Sequence, residues 1–583
     1  MEHDTQKFKA RANESSAELV RAMPSAAETR PKAKARANEC SAELVRAMPR
    51  CEGGKDAQRL SAAESRPKAK ARANETRTEF KIKATDEKRV NGRIRSRLPE
   101  VVSAVVCLLT LFIFFQFFYR SHLCHREQFS LFVWAVEPLR GYFLHPASLA
   151  CLTGDFLTQF FSVTVVGPLL MAGVLTLLGV LTYRLLRPYI GYWTLLPAAV
   201  IVVIETGRQC GLTYPLSSTL QWVGVAVTLL ICRSLGKKLW KRCRLGAVTA
   251  IMICAVAGIW LSGWGDWEKR SVNHPDLKIE RMLAVDNDWY HGRLDTMEER
   301  LLAYEKKENN RLFTYYHNLL LAQTYRMGEQ MLMIYQPFTT GLYLPVTPTT
   351  SYMIDYMSNE MWFLLGDMTN AEHSALLGMV FSPRSTGARP LRRLAEINLV
   401  NGDEEAAMKY LRILDKTLLY RRWARARMMG TRHPRVERWL DMKRTLIPTT
   451  DCVRSPMDPS TSFRHLLACN PDNIFARDYL LSYDLLSKNV DAFKEDYDRF
   501  VPGHHPPPRT WAEGLLVWMA AHGASEKEVL VYSIPREMIE EFMQYYDIYK
   551  RRDEHFPILQ KRFGQTYWFF YHFAQGNNGE DAQ

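Results

Sequence analysis

Residues 101–119 read VVSAVVCLLTLFIFFQFFY, with no charge and one glutamine. About 20 such residues cross the ~30 Å hydrocarbon core of a bilayer as a helix. This stretch therefore predicts a membrane span and, with it, a helical architecture. Four further apolar runs follow at 160–183, 190–204, 216–232 and 245–262. Uncharged runs in such succession predict a multi-span transmembrane module over residues 99–265, with an outer loop at 120–159. The third run is short and carries Pro197.

Basic residues orient these spans. Arg93, Arg95 and Arg97 precede the first run, and Arg184 and Arg187 lie between the second and third. Arg233, Lys237, Lys238, Lys241, Arg242 and Arg244 lie between the fourth and fifth. Positive loops stay cytoplasmic. An odd number of spans then puts the N-terminus inside and the remainder of the chain, residues 266–583, outside. The loop 120–159 holds Phe129–Val136, apolar but too short to cross, and suits the interface or the flank of a bundle.

Upstream of the spans, residues 1–98 form a basic tail. Lys9–Pro24 (KARANESSAELVRAMP) returns almost unchanged as Lys34–Pro49, and SAAETRPKAKARANE at Ser25 returns as SAAESRPKAKARANE at Ser61. The two spacings differ, so this is no stacking repeat. Phe8 and Phe80 are its only aromatics, too little apolar surface to offset the entropy of ordering. A disordered extension is the expectation. The tail holds much of the basic excess of a chain with 76 Lys+Arg against 62 Asp+Glu, so a nucleic-acid-binding fold is not implied.

From 266 onward the pattern is helical. Asp295–Asn309, Arg311–Met327, Ser351–Leu365, Asn370–Val380, Pro390–Val400, Glu404–Leu418, Asn473–Leu486 and Asp491–Phe500 pair into hairpins. Leu365–Ala371 (LGDMTNA) and Asn401–Ala407 (NGDEEAA) match at a distance of about 36 residues, near the ~34 of a tetratricopeptide unit. The fold class expected is thus all-α: a transmembrane helical module followed by a tetratricopeptide-like α-solenoid.

Several stretches carry a family likeness. They are His125–Phe132 (HREQFSLF), Gly154–Phe161 (GDFLTQFF), Arg393–Gly402 (RLAEINLVNG) with Lys409–Thr417 (KYLRILDKT), and Gln565–Tyr571 (QTYWFFY). Together they resemble the multi-pass membrane family catalogued as domain of unknown function 6057, from Gram-negative bacteria. The likeness covers about Leu98–Phe573. It implies placement in the inner membrane, with a periplasmic helical domain, and supplies no catalytic residues.

Candidate chemistry is sparse. Glu127 and Asp155 lie in the first outer loop, where multi-pass glycosyltransferases that use lipid-linked sugars carry an acidic residue. They are the catalytic candidates; the structural alternative is that Asp155 helps start the second span and Glu127 pairs with a neighbouring arginine. His122, Cys124, His125 and Glu127 offer donor atoms without the spacing of a closed zinc site, so no metal or other cofactor is expected. Arg421, Arg422, Arg425 and Arg427 either grip an anionic glycan or headgroup or form the solvated face of a helix, with Trp423 toward the core. Cys452 and Cys469 are close in sequence and on the predicted outer side, where a disulfide is permitted; free buried thiols are the other reading. The expected partners are the lipid bilayer and an envelope protein, with no nucleic acid. The function expected is scaffolding by the solenoid, with a lipid- or glycan-modifying enzyme as the alternative.

Overall fold

The computed structural model describes residues 98–144, 147–239, 275–305, 310–347, 349–455, 458–501, 506–523, 531–551 and 555–575. The repeat-bearing tail and the fifth apolar run lie outside them. By its contacts the chain divides after Val106. Of the first unit only 98–106 is described, a helical stretch with Val101, Val102, Val105 and Val106 about half exposed. The second unit, Cys107–Gln583, carries the remaining described residues.

Every regular element among the described residues is a helix. Three are long and apolar enough to cross a membrane: α1 (Leu98–Phe118), a 25-residue α5 (Val166–Ile190), and Leu216–Leu235 within α7 (Leu216–Leu239). The structure shifts the second run C-terminally, to a helix opening at Val166, with Gly167 packed too closely on Phe161 to carry a side chain. Arg184 and Arg187 thereby fall inside α5 rather than in a loop. Between these helices lies α6 (Leu195–Gln209), 15 residues and thus only ~22 Å long at 1.5 Å per residue.

Two ends of this bundle are fixed by hydrogen bonds. At one, the Tyr119 hydroxyl donates to the Cys210 carbonyl (3.3 Å) and accepts from the Asp276 amide (3.0 Å). At the other, Arg233 donates to the carbonyls of Arg184 and Leu185 (3.2 and 3.0 Å).

The segment after α1 is more ordered than a loop. A π-turn at Phe114–Phe118 and a break at Tyr119 redirect the chain into α2 (Arg120–Gln128), followed by α3 (Val136–Phe143) and α4 (Ser148–Thr158). Helix α4 packs on α7.

The rest is a succession of hairpins. They are α8 (Leu277–Tyr290), α9 (Leu294–Glu305), α10 (Arg311–Gln323), α11 (Tyr352–Leu365), α12 (Met368–Val380), α13 (Ala388–Asn401), α14 (Glu404–Asp415), α15 (Arg421–Arg425), α16 (Pro434–Arg444), α17 (Ser460–Cys469), α18 (Ile474–Leu486), α19 (Val490–Phe500), α20 (Arg509–His522), α21 (Arg536–Lys550), α22 (His555–Phe563) and α23 (Tyr567–Phe573). The sequence echo is a shared turn. Gly366 and Gly402 both sit at positive φ (98° and 82°), ending α11 and α13. Asp367 and Asp403 then cap the next helices by accepting from the amides of Asn370 and Ala406. Ala371 and Ala407 are fully buried where the paired helices approach.

One continuous apolar core runs from Met282 to Trp568, with α23 docked through Tyr567 and Trp568. An ideal solenoid packs each repeat only on its neighbours. Here α18 also packs on α10 and α11, so the array folds back on itself.

Candidate functional site

Helix α2 is built into the helical array. Glu280 of α8 accepts its first amides, from Ser121 and His122, at 2.6 and 2.9 Å. These are donors that a helix N-terminus cannot satisfy internally. At the other end Gln128 accepts from Arg389 (3.0 Å), and Glu127 accepts from the Tyr420 hydroxyl (2.7 Å). Two backbone bonds continue the attachment: Ala388 donates to Ser130 (3.1 Å) and Trp134 to Lys416 (2.8 Å). The six residues from Leu123 to Gln128 are all buried.

The contact helix α13 carries a second pattern. Arg389, Arg392, Arg393 and Glu396 recur at helical spacing and share one face. That face is turned inward, onto a cavity of about 230 Å³. Its wall is completed by Trp289 and Tyr290 of α8, Gln323 of α10, Tyr356, Glu360, Phe363 and Leu364 of α11, and Lys443 of α16.

The charges on this wall are unequally matched. Arg389, 1 % exposed, donates twice to Asp286 (2.6 and 2.9 Å) and once to Glu360 (2.9 Å). Burial alone would raise the Asp286 carboxyl; Arg389 and the Tyr316 hydroxyl outweigh it and hold the group below its usual range. Arg393 donates to Glu360 (2.5 Å), which also accepts from the Trp289 indole (3.0 Å).

Arg392 makes no ion pair among the described residues. It donates to the Tyr290 hydroxyl, with its guanidinium 4.9 Å from that ring and 4.6 Å from the Trp423 ring. Arg427 lies 4.1 Å from the other partner of this stack, Trp423, and 3.9 Å from Glu396. Lys443 donates to the Phe363 carbonyl (3.2 Å) with its ammonium 5.0 Å from the Phe363 ring. Burial, reinforced by the nearby Arg393 charge, lowers the Lys443 ammonium to about 7. Cation–aromatic contacts thus hold three cations whose carboxylate partners are too few. The Nε–H groups of Arg389, Arg392, Arg393 and Arg427 and the Trp423 indole N–H are buried without an acceptor.

The sequence candidates are distributed around this wall. Glu127 is fully enclosed; burial raises its carboxyl to about 7, with the Tyr420 hydrogen bond opposing. Asp155 pairs with Arg384 and accepts from the Tyr142 hydroxyl (2.7 Å). The two carboxylates therefore face different partners, and neither lines the cavity. The arginine cluster separates. Arg421, Arg422 and Arg425 are exposed, with Arg421 donating to the Asp415 carbonyl and Arg425 to its carboxylate, whereas Arg427 is buried against Trp423. Cys452 and Cys469 stand as two free, half-buried thiols, and Cys469 lies 3.4 Å from the Thr450 hydroxyl.

The residues that sequence reasoning passed over are Arg389, Arg392, Arg393 and Lys443. The three arginines had one signal, their recurrence with Glu396 at positions 0, 3, 4 and 7 of a helix; Lys443, on α16, had none.

A family model matches residues 96–267 and again 260–574, nearly the whole chain apart from the tail. The chain belongs to the Family of unknown function DUF6057. The DUF6057 match takes in α1–α7, the inserted helix α2 and the hairpin array with its arginine-lined wall. No curated protein and no solved structure matches the chain.

Proposed function

We propose that this DUF6057 member is an inner-membrane scaffold that holds a tetratricopeptide-like helical array on the periplasmic side for an envelope partner. The observation that carries the reading is the pair of fixed bundle ends. Tyr119, Cys210 and Asp276 meet at one end, and Arg184, Leu185 and Arg233 at the other. Helix α7 leads from the first end to the second, yet the chain is back at the first end by Asp276. Leu216–Arg233 spans ~26 Å at 1.5 Å per residue, close to the thickness of a bilayer core. Between Arg233 and Asp276 the sequence carries a further apolar run at 245–262.

With the basic end cytoplasmic, the opposite end and everything bonded to it lie outside. Helix α2 then serves as the fastening: it leaves the first span and is locked by Glu280, Arg389 and Tyr420 into the array. A scaffold needs such a fixed height above the bilayer. The alternative of an enzyme built on Glu127 and Asp155 has less support, since each is committed to protein partners. Protease access to a cleavage site placed in the exposed loop at Val453 tests the sidedness.

A further inference from the structure

We propose that the cavity between α8, α11, α13 and α16 is a binding site for a phosphomonoester group, with Arg392 and Lys443 as its principal contacts. Five cations (Arg389, Arg392, Arg393, Arg427 and Lys443) surround or back it, against three carboxylates (Asp286, Glu360 and Glu396). With Lys443 protonated this is a surplus of two positive charges, which in a partly desolvated place is costly unless an anion answers it. A phosphomonoester brings about −1.5 to −2 charges and three acceptor oxygens. A carboxylate brings one charge and leaves the wall under-compensated. The fourth nearby acid, Glu127, reaches the cluster only through Tyr420 beside Arg392.

The buried donors agree with this choice. The unanswered atoms gathered here are N–H groups: four arginine Nε–H and the Trp423 indole. Arginine is suited to oxyanion recognition by its fixed planar fork. Arg392 is the arginine of this face without a carboxylate partner among the described residues, because Arg389 and Arg393 already spend donors on Asp286 and Glu360. The faces of Tyr290, Tyr356 and Phe363 are occupied by guanidinium or ammonium groups. They fix the cations in place, and the cations in turn cover the aromatic wall that a sugar or a base would stack on, apart from Trp289. At about 230 Å³ the space lies below the ~300–1,000 Å³ of pockets for drug-sized ligands, and so fits the compact head of a ligand.

Proton linkage adds a pH signature. Lys443 titrates near 7 and an anion favours its charged form, so binding draws a proton. A phosphomonoester such as glucose 1-phosphate gains its second charge near pH 6. Affinity should therefore peak between ~6 and ~7 and fall up to tenfold per pH unit above that.

The test uses the full chain in phosphatidylcholine nanodiscs and three probes: inorganic phosphate, glucose 1-phosphate, and phosphatidic acid added to the nanodisc lipid. Saturable binding of a soluble probe assigns a soluble ligand; binding of phosphatidic acid alone assigns a lipid headgroup; either supports the site. Arg392→Gln and Lys443→Gln should each weaken it at least tenfold, and Lys443→Gln should remove the decline above pH 7. Arg536→Gln, on a side chain 90 % exposed, should change nothing. Arg392→Lys serves where Arg392→Gln does not fold. The proposal is overturned if wild type binds none of the probes, if acetate binds as tightly as phosphate, or if variants that keep the wild-type unfolding temperature bind like wild type.

Discussion

Replacing Arg389 with methionine removes the keystone between α2, α8, α11 and α13. The side chain is 1 % exposed and makes four hydrogen bonds, to Asp286 twice, to Glu360 and to Gln128. Glu360 keeps Arg393 and Trp289, so one bond of three is lost there. Asp286 keeps only the Tyr316 hydroxyl, at 2.5 Å, and becomes a buried carboxylate without a counter-charge. Removing one partner of a buried ion pair costs about 3–5 kcal/mol. At ~2–4 °C per kcal/mol for large domains, the unfolding temperature of the purified chain should fall by about 6–20 °C. The second variant isolates the cause. Arg389→Met with Asp286→Asn carries no orphaned charge, and Tyr316 still donates to the amide oxygen. It should recover at least half of the loss, read as a positive coupling in a double-mutant cycle. A drop under ~2 °C in Arg389→Met, or a double variant worse than the single, would refute the reasoning.

Two more perturbations rest on the same geometry. Burial lifts Glu127 to about 7, so its folded value lies above the unfolded ~4.3, and stability from this group is full below ~4.3 and lost as pH rises to 7. Glu127→Gln keeps an acceptor for Tyr420 and abolishes that loss, at most about 4 kcal/mol; the variant should gain on wild type from pH 5 to pH 7 and level off above it, and a constant gap between their melting curves would contradict this. Gly366→Ala and Gly402→Ala share a positive φ, worth ~1–2 kcal/mol of strain each, but a Cβ at 366 also meets the Leu446 carbonyl at 2.5 Å whereas at 402 it meets nothing. Calorimetry should show the 366 variant as clearly the less stable, and equal losses would count against the turn geometry.

Much of the helical layout is legible in the sequence. The hairpin helices fall within a few residues of their expected ranges, as with Asn473–Leu486 observed at Ile474–Leu486. Their signals are local: Gly and Asp at the shared turns, Asn at the caps of α18 and α19, and apolar residues at helical spacing. The cavity is not legible, for a physical reason. Arg389, Arg392, Arg393 and Glu396 have the spacing of a solvated helix face, and only the acids on α8 and α11, about 30 to 100 residues away, turn that face inward. The 120–159 segment hides its role similarly. Its apolar content reads as interfacial, while its partners Glu280, Arg389 and Tyr420 lie far along the chain. At Arg421–Arg427 composition suggested one cluster, and the turn after α15 divides it.

The central claim is that the array stands on the far side of the membrane from the basic ends of α5 and α7. A specific protease site inserted at Val453, 90 % exposed between α16 and α17, tests it most directly. A second site placed after Lys88 in the basic tail marks the opposite side. In spheroplasts treated with protease and no detergent, the account predicts cleavage at 453 and none at 88, with both cut once detergent is added. Cleavage at 88 with protection at 453 would place the array in the cytoplasm and contradict the account.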